Sequence, residues 1–295
     1  MGSGTAAKGG PSGSSPHHRR TLSEARKPSA RRARPASEGS KNLTLIAHLS
    51  DLHFGAADQA VVAALAGDLR RERPDLVAVS GDLTQRARHA EFHAAAQFLR
   101  DLPAPVLAVP GNHDITPFDL VERFTDPWVR WRRHMGPETE PVWTDAEVAV
   151  VGLNTARRAG FHPNWARGRV RRSGLARLEA RLSALPPGLF RIVVAHHPFA
   201  APSLQPDAPL VGGATAALAC FARCGVRMVL TGHLHLPDVP PVGGARLALV
   251  QAATATSHRL RGAPNAWHRI EVRAGEARVA SRIWDGRSWR DHPSA

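Results

Sequence analysis

Five short polar motifs, each directly after an apolar, β-branched run, constrain this chain more than any other feature. They are Asp51-Leu52-His53, Gly81-Asp82, Gly111-Asn112-His113-Asp114, His196-His197 and Gly232-His233-Leu234-His235. Apolar runs of this length read as buried strands. Their exits supply Asp, Asn and His, the oxygen and nitrogen donors that hold catalytic divalent metals. In open α/β sheets, sites form outside the carboxyl ends of the strands. Loops distant in the chain would then meet at one sheet edge and build a two-metal hydrolytic centre. Each motif alone is weak: Gly-Asp is a common turn, Asn112 suits a left-handed turn position, and His233 with His235 would pass for a surface pair. Their occurrence together, each after a strand, is the signal.

The segments between the motifs set the fold class. Residues 43–49, 76–79, 105–109, 148–153, 192–195 and 226–230 read as strands. Residues 58–73, 88–102, 173–185 and 214–224 read as helices, the first closed by Pro74 and the third capped by Ser173. This alternation argues for an α/β fold with a mainly parallel sheet and helices on its faces. Residues 115–145 break the rhythm. Beyond 245, short strands at 247–253, 267–272 and 277–284 read as a second sheet packed against the first.

Composition adds boundaries. The chain has 295 residues and a net charge of +14. Residues 1–41 hold nine Lys and Arg against two acids, half of that charge, and almost no large apolar residue. Such a segment cannot bury enough surface to offset its ordering entropy. We therefore expect a disordered basic tail over 1–41 and a folded domain over 42–295. Arg31-Arg32-Ala33-Arg34 leaves contact with nucleic acid open. The body is basic too, which favours anionic partners such as phosphate esters and nucleotides. Cys220 and Cys224 lie four apart in a helix and read as two small buried apolar residues. No run of eighteen apolar residues spans a membrane, and no apolar h-region marks a secretory signal. A reducing cytoplasm is the compartment this suggests.

Taken together, Asp51-x-His53, Gly81-Asp82, Gly111-Asn112-His113-Asp114, His196 and Gly232-His233-x-His235 resemble the calcineurin-like metallophosphoesterases over about residues 43–237. The wording Ser50-Asp51-Leu52-His53-Phe54-Gly55 and Gly81-Asp82-Leu83-Thr84 is closest to the bacterial class III branch, which includes cyclic-nucleotide phosphodiesterases. The resemblance implies a four-layer α-β-β-α sandwich of two mixed sheets. It implies two divalent or mixed-valence transition metals drawn from Mn, Fe, Zn and Co. Asp51, His53 and His235 would hold the first metal; Asn112, His196 and His233 the second; Asp82 would bridge them. His197 stays open as an alternative to His196. The activity implied is metal-activated hydroxide attack on a phosphodiester or phosphomonoester, with a cyclic nucleotide among the candidates. His113 would contact the phosphoryl group and help the leaving oxygen depart, while Asp114 would orient His113 or cap the loop. A nuclease, or a pyrophosphatase of a nucleotide-linked precursor, is the alternative on the same fold. A non-catalytic scaffold would lose ligands, and none is missing.

Two segments should overhang such a centre. Residues 115–145 carry Trp128, Trp131 and Trp143. Residues 155–172 carry Arg157, Arg158, Arg167, Arg169, Arg171 and Arg172 with Trp165. Arg forks and a stacking Trp would suit a nucleotide-like anion; a solvated Arg-rich loop fits the same composition. His48 reads as a core residue, and His89 with His93 as a surface pair on one helix face.

Overall fold

β1 (Thr44–Leu49) is flanked on both edges and buried on both faces. It pairs in parallel with β2 (Leu76–Val79), Ile46 opposite Leu76 and Leu49 opposite Val79. β2 pairs in parallel with β3 (Val106–Ala108). The computed structural model describes Met1 and residues 43–158, 166–240 and 246–292. Residues 2–41 of the expected tail and Trp165 lie outside the described residues.

A second sheet holds β4 (Val142–Thr144), β5 (Val148–Gly152), β6 (Phe190–Val194), β7 (Val226–Thr231) and β8 (Ala248–Gln251) in that order. β5 to β8 run parallel, and β4 is antiparallel to β5. The two-residue strand period sorts each apolar run onto two faces. Ile46, Leu76, Ala78, Val150, Ile192, Val194 and Leu230 meet between the sheets. Leu49, Val77 and Val79 point the other way, onto α1 (Gln59–Glu72) and α2 (His89–Arg100). Val151, Val193 and Val229 point out of the second sheet, onto α5 (Arg172–Ser183) and α6 (Ala214–Arg223). The result is the expected α-β-β-α sandwich. Burial of Leu65, Leu69 and Phe92 from α1 and α2, all without exposure, contributes about 1.5–3 kcal/mol each.

Local chemistry sets the helix ends. The Asp58 carboxylate accepts from Ala60 N and Val61 N at 2.8 and 3.3 Å and starts α1. Arg73, left-handed at φ +51°, and then Pro74 stop it. Two short helices, α3 (Leu120–Thr125) and α4 (Val129–His134), fill the segment that broke the strand rhythm. Cys220 and Cys224 are buried free thiols, 4.0 Å apart.

Two expectations are corrected. The strands after residue 245 do not form the second sheet by themselves. β9 (Ala266–Arg273) and β10 (Glu276–Trp284) extend the first sheet on the free edge of β1, followed by β11 (Trp289–Asp291), whereas β8 joins the second. The second sheet instead begins with β4 and β5. Ser173 is not the cap of α5, because the helix starts one residue earlier, with Arg171 at the cap position and no side-chain capping bond.

β9 also carries a pH liability. His268 is fully buried, its ring 5.6 Å from His48 opposite it on β1. Its Nε2–H donates to Gln251 O at 2.9 Å. Burial pushes its pKa down to about 4. An unfolded His titrates near 6.5, so the unfolded chain takes up the proton first as pH falls. The stability this group contributes is complete above about pH 6.5 and is lost between about 6.5 and 4, on the order of 3 kcal/mol in all. Urea midpoints at pH 7.5 and 5 should therefore diverge more for the wild type than for His268→Gln. Equal divergence would remove His268 as the cause.

Candidate metal centre

The motif residues converge. Asp51 and His53 follow β1, Asp82 follows β2, Asn112 follows β3, His196 follows β6, and His233 and His235 follow β7. Both sheets thus contribute from the carboxyl ends of parallel strands. His53 Nε2 lies 3.1 Å from His235 Nε2 and 3.5 Å from Asp51 Oδ1. His235 Nε2 is 3.1 Å from the same Asp51 oxygen. His196 Nε2 lies 3.2 Å from both Asn112 Oδ1 and His233 Nδ1. Asp82 Oδ2 stands between the two groups, 3.3 Å from His196 Nε2 and 3.8 Å from His53 Nε2. Donor atoms of Asp51, His53 and His235 form one cluster within 4.8 Å, and Asp82 shares such clusters with His53 and His113 and with Asp51 and His196.

The backbone at these positions is strained in a concerted way. Asp51, His53, Asp82, His233 and His235 are left-handed, with φ of +53°, +47°, +53°, +75° and +60°. Such non-glycine residues cost about 1–3 kcal/mol each and persist only where their surroundings over-determine them. Here Asp51 N donates to Gly81 O and His53 N to Asp82 O, both at 3.0 Å. Thr254 and Thr256 hydroxyls donate to Asp51 O and Leu52 O at 2.6 Å. The glycines of the motifs permit close approach. A Cβ on Gly232 would overlap Ser50 Oγ and Asp51 Oδ2, and one on Gly111 would overlap Asp82 Oδ1.

Hydrogen bonds fix the ring tautomers. His196 Nδ1–H donates to Ser80 O at 2.8 Å and His235 Nδ1–H to Arg259 O at 3.1 Å. In the neutral form each ring would present its Nε2 lone pair to the cluster, the arrangement expected of metal-ligating histidines. His113 Nδ1–H donates to Gln85 O at 2.7 Å, which likewise turns Nε2 inward. His197 differs. Its Nδ1 is 2.8 Å from Thr155 Oγ1 and its Nε2 2.8 Å from Ala166 O. A nitrogen of its ring lies within 4.8 Å of donor atoms of His196 and His233, although both of its nitrogens are engaged by these other partners.

The electrostatics are those of a cation site. Asp51 and Asp82 are fully buried. Burial opposes their ionisation, yet His235 and His53 around Asp51, and His196, His113 and His53 around Asp82, hold both carboxyls well below the usual carboxylate range. Burial also opposes a charge on His196, but Asp82 overrides it and raises that pKa to about 9. Burial, then the His196 charge, lowers His233 to about 3. Asp51 Oδ1 makes no hydrogen bond. Two buried imidazole nitrogens 3.1 Å apart beside that oxygen either share a proton or face a cation.

Asp114 does not reach this cluster. Its carboxylate accepts from Gly111 N at 2.9 Å, Thr84 N at 2.9 Å and Leu83 N at 3.2 Å. It ties the loop after β3 to the loop after β2. Burial, then the charge of Asp82, pushes its pKa up to about 6. Thr254, Thr256 and Thr155 went unread in the sequence; the alternation Thr254-Ala255-Thr256 after β8 was the available signal. His48 Nε2 sits 2.9 Å from Ser80 Oγ in the core, as expected. His89 is exposed on α2, with Nδ1 3.0 Å from His134 Nε2.

The sequence matches the calcineurin-like phosphoesterase family over residues 44–237, from β1 through the last motif. The chain belongs to that family. It is therefore a phosphoric ester hydrolase, of a family that uses a dinuclear metal site. Over 77% of its length it is 27% identical to a probable cyclic nucleotide phosphodiesterase of Synechococcus sp., covering 87% of that relative. A shorter stretch of 83 residues is 42% identical to a glycerophosphodiester phosphodiesterase of Enterobacter lignolyticus, covering 24% of this chain and 29% of the relative. The fold matches that of a purple acid phosphatase from yellow lupin seeds, with a TM-score of 0.62 at 11% identity over 84% of this chain and 53% of the other. Among the described residues, no helix is long and apolar enough to cross a membrane.

Proposed function

We propose that this chain is a metal-dependent phosphodiesterase acting on small organic phosphodiesters, a cyclic nucleotide first among them. The carrying observation is the double contact of one buried carboxylate: Asp82 reaches His53 and His196, the inner members of two separate donor groups. In this reading Asp51, His53 and His235 hold one metal, Asn112, His196 and His233 the other, and Asp82 bridges. The donors fit the assignment, because Asp51 Oδ1 lacks a hydrogen bond and the His Nε2 atoms face inward. The mixed nitrogen and oxygen set, without thiolate, suits Mn, Fe, Zn or Co. When bound, the metals polarise the phosphoryl oxygens and lower the pKa of a coordinated water.

The chain's own residues do the rest. Left-handed backbone at Asp51, His53, Asp82, His233 and His235 aims five donors inward before substrate arrives, so little reorganisation is needed. His113 Nε2 is available to donate to the leaving oxygen. Asp114 is a positioning residue that fixes the Gly111 turn. Residues 42–295 act as one catalytic domain, since β9 and β10 complete the sheet that carries Asp51. Support for a diester substrate comes from the two relatives, whose names describe phosphodiesterases.

The test is a hydrolysis panel with added Mn²⁺: bis(p-nitrophenyl) phosphate, p-nitrophenyl phosphate, cyclic AMP and single-stranded DNA. The expected result is turnover of the small diesters above the monoester and the DNA. Preferred, strongly salt-dependent cleavage of DNA would replace this reading with that of a nuclease.

A further inference from the structure

A cavity of about 390 Å³ opens between the end of β5 and the start of α5, within the size range of small-molecule sites. Its wall carries Arg157, Arg158, Arg169, Arg171 and Arg177 with Trp128. Among the described residues the lining holds one acid, Glu140, which is buried and already engaged. Arg177 Nε lies 3.2 Å and Arg181 Nη1 3.5 Å from its Oε2. Arg158 Nη1 donates to Phe124 O at 2.7 Å. Arg169 and Arg171 form no ion pair with any described residue. Burial, then the charges of Arg169 and Arg167, pushes the Arg157 guanidinium below its ordinary value. Like charges gathered at one wall are costly, and an anion relieves them.

The wall is held by backbone bonds rather than by its own charges. Arg169 N donates to Thr155 O at 2.8 Å, and Arg169 bridges to Gly212. The buried Arg123 donates to Arg158 O at 2.7 Å and to Thr116 O at 2.9 Å. The cavity also adjoins the metal centre. Thr155, between the lining residues Asn154 and Ala156, bonds His197 Nδ1 at 2.8 Å, and the His197 ring centroid is 4.6 Å from that of His233. Thr155 and the His197 imidazole lie between the two.

We propose that this cavity is a second anion subsite, built to hold a phosphate-type oxyanion in the forks of Arg169 and Arg171. Guanidinium forks bind such anions bidentately, and Trp128 offers a flat face to the organic group that carries one. The anion arrives either as a second phosphate on the substrate or as a separate small effector. The first source deepens the phosphodiesterase reading and rests on it; binding itself does not.

Calorimetric titration of the full chain with sodium sulfate, at fixed low ionic strength, tests the binding. Saturable binding is expected in the wild type and in Asp82→Asn, and about tenfold or more weaker binding in Arg169→Ala/Arg171→Ala. Arg171→Gln alone, at an exposed position without a capping bond, should melt like the wild type and still bind sulfate more weakly. Equal affinity in all four proteins, or loss of binding in Asp82→Asn, overturns the subsite. Two esters then separate the sources: p-nitrophenyl thymidine 5′-phosphate with and without a 3′-phosphate. A KM raised by the arginine substitutions only for the 3′-phosphorylated ester assigns the anion to the substrate. A sulfate effect on the plain ester, seen in the wild type and absent from the double variant, assigns it to an effector. With turnover present, the absence of both effects overturns the proposal. A chain that binds sulfate as described yet hydrolyses neither ester keeps the subsite and loses the phosphodiesterase reading.

Discussion

Asp82→Ala is expected to strip metal from the chain and to lower phosphodiester turnover by about four orders of magnitude. The size follows from position. Among the described residues, Asp82 Oδ2 is the one carboxylate oxygen within 4 Å of both His53 Nε2 and His196 Nε2, at 3.8 and 3.3 Å. Two dications held about 3.5–4 Å apart repel strongly, and a shared carboxylate offsets that repulsion. Asp82 Oδ1 has a second task, accepting from His113 N at 2.9 Å. Alanine therefore also orphans a backbone donor, at a cost of about 1–3 kcal/mol. Asp82→Asn separates the two effects, since its amide oxygen keeps the His113 bond while the charge is gone. It should keep the native fold by circular dichroism, yet show the same loss of metal by mass spectrometry and the same loss of turnover on bis(p-nitrophenyl) phosphate. Full metal content with full turnover in Asp82→Asn would end the bridging assignment.

The centre was legible in the sequence because metal chemistry restricts residue types as well as positions. Few residues other than Asp, Asn and His serve this donor set, and the apolar runs of β1, β2, β3, β6 and β7 mark where the donors must emerge. The choice between His196 and His197 was not legible. Both follow the same strand, and only the third dimension reveals that Thr155 and Ala166 occupy both nitrogens of His197. β9 and β10 were recognised as strands but assigned to the wrong sheet, whereas β8 lies in the second sheet as expected. Alternation in β9 says that both faces are partly covered; it does not say which free edge the strand will join. That is decided by pairing across more than 200 residues, Ile46 opposite Ile270 and His48 opposite His268. Ser173 failed as a cap for a similar reason. A good capping residue has no effect where tertiary packing starts the helix one residue earlier. The left-handed backbone at the donor positions was invisible too, since the strain belongs to the assembled site; Asp and His tolerate that region better than most residues but do not require it.

The second large effect is expected at His113, and its signature is selectivity rather than total loss. His113→Ala should keep its metals, lose about 10²–10⁴-fold in rate on esters with poor, alkyl leaving groups, and lose far less on p-nitrophenyl esters. The reasoning is geometric. With Nδ1–H held by Gln85 O at 2.7 Å, Nε2 faces the cluster and carries a proton only in the imidazolium form. The His113 ring lies edge-on to His53, 4.9 Å between centroids, and its donor atom falls within the cluster of His53 and Asp82. It is close enough to meet a bound phosphoryl group without being needed to complete either donor group. A p-nitrophenolate departs without protonation, whereas an alkoxide does not, so removal of the proton donor should spread the rates of the two classes apart. His113→Asn, which retains a hydrogen-bond donor but no transferable proton, should fall between the wild type and alanine on the poor leaving groups. Equal losses on both ester classes, with metal content unchanged, would assign His113 to binding the phosphoryl oxygens instead of assisting the leaving group.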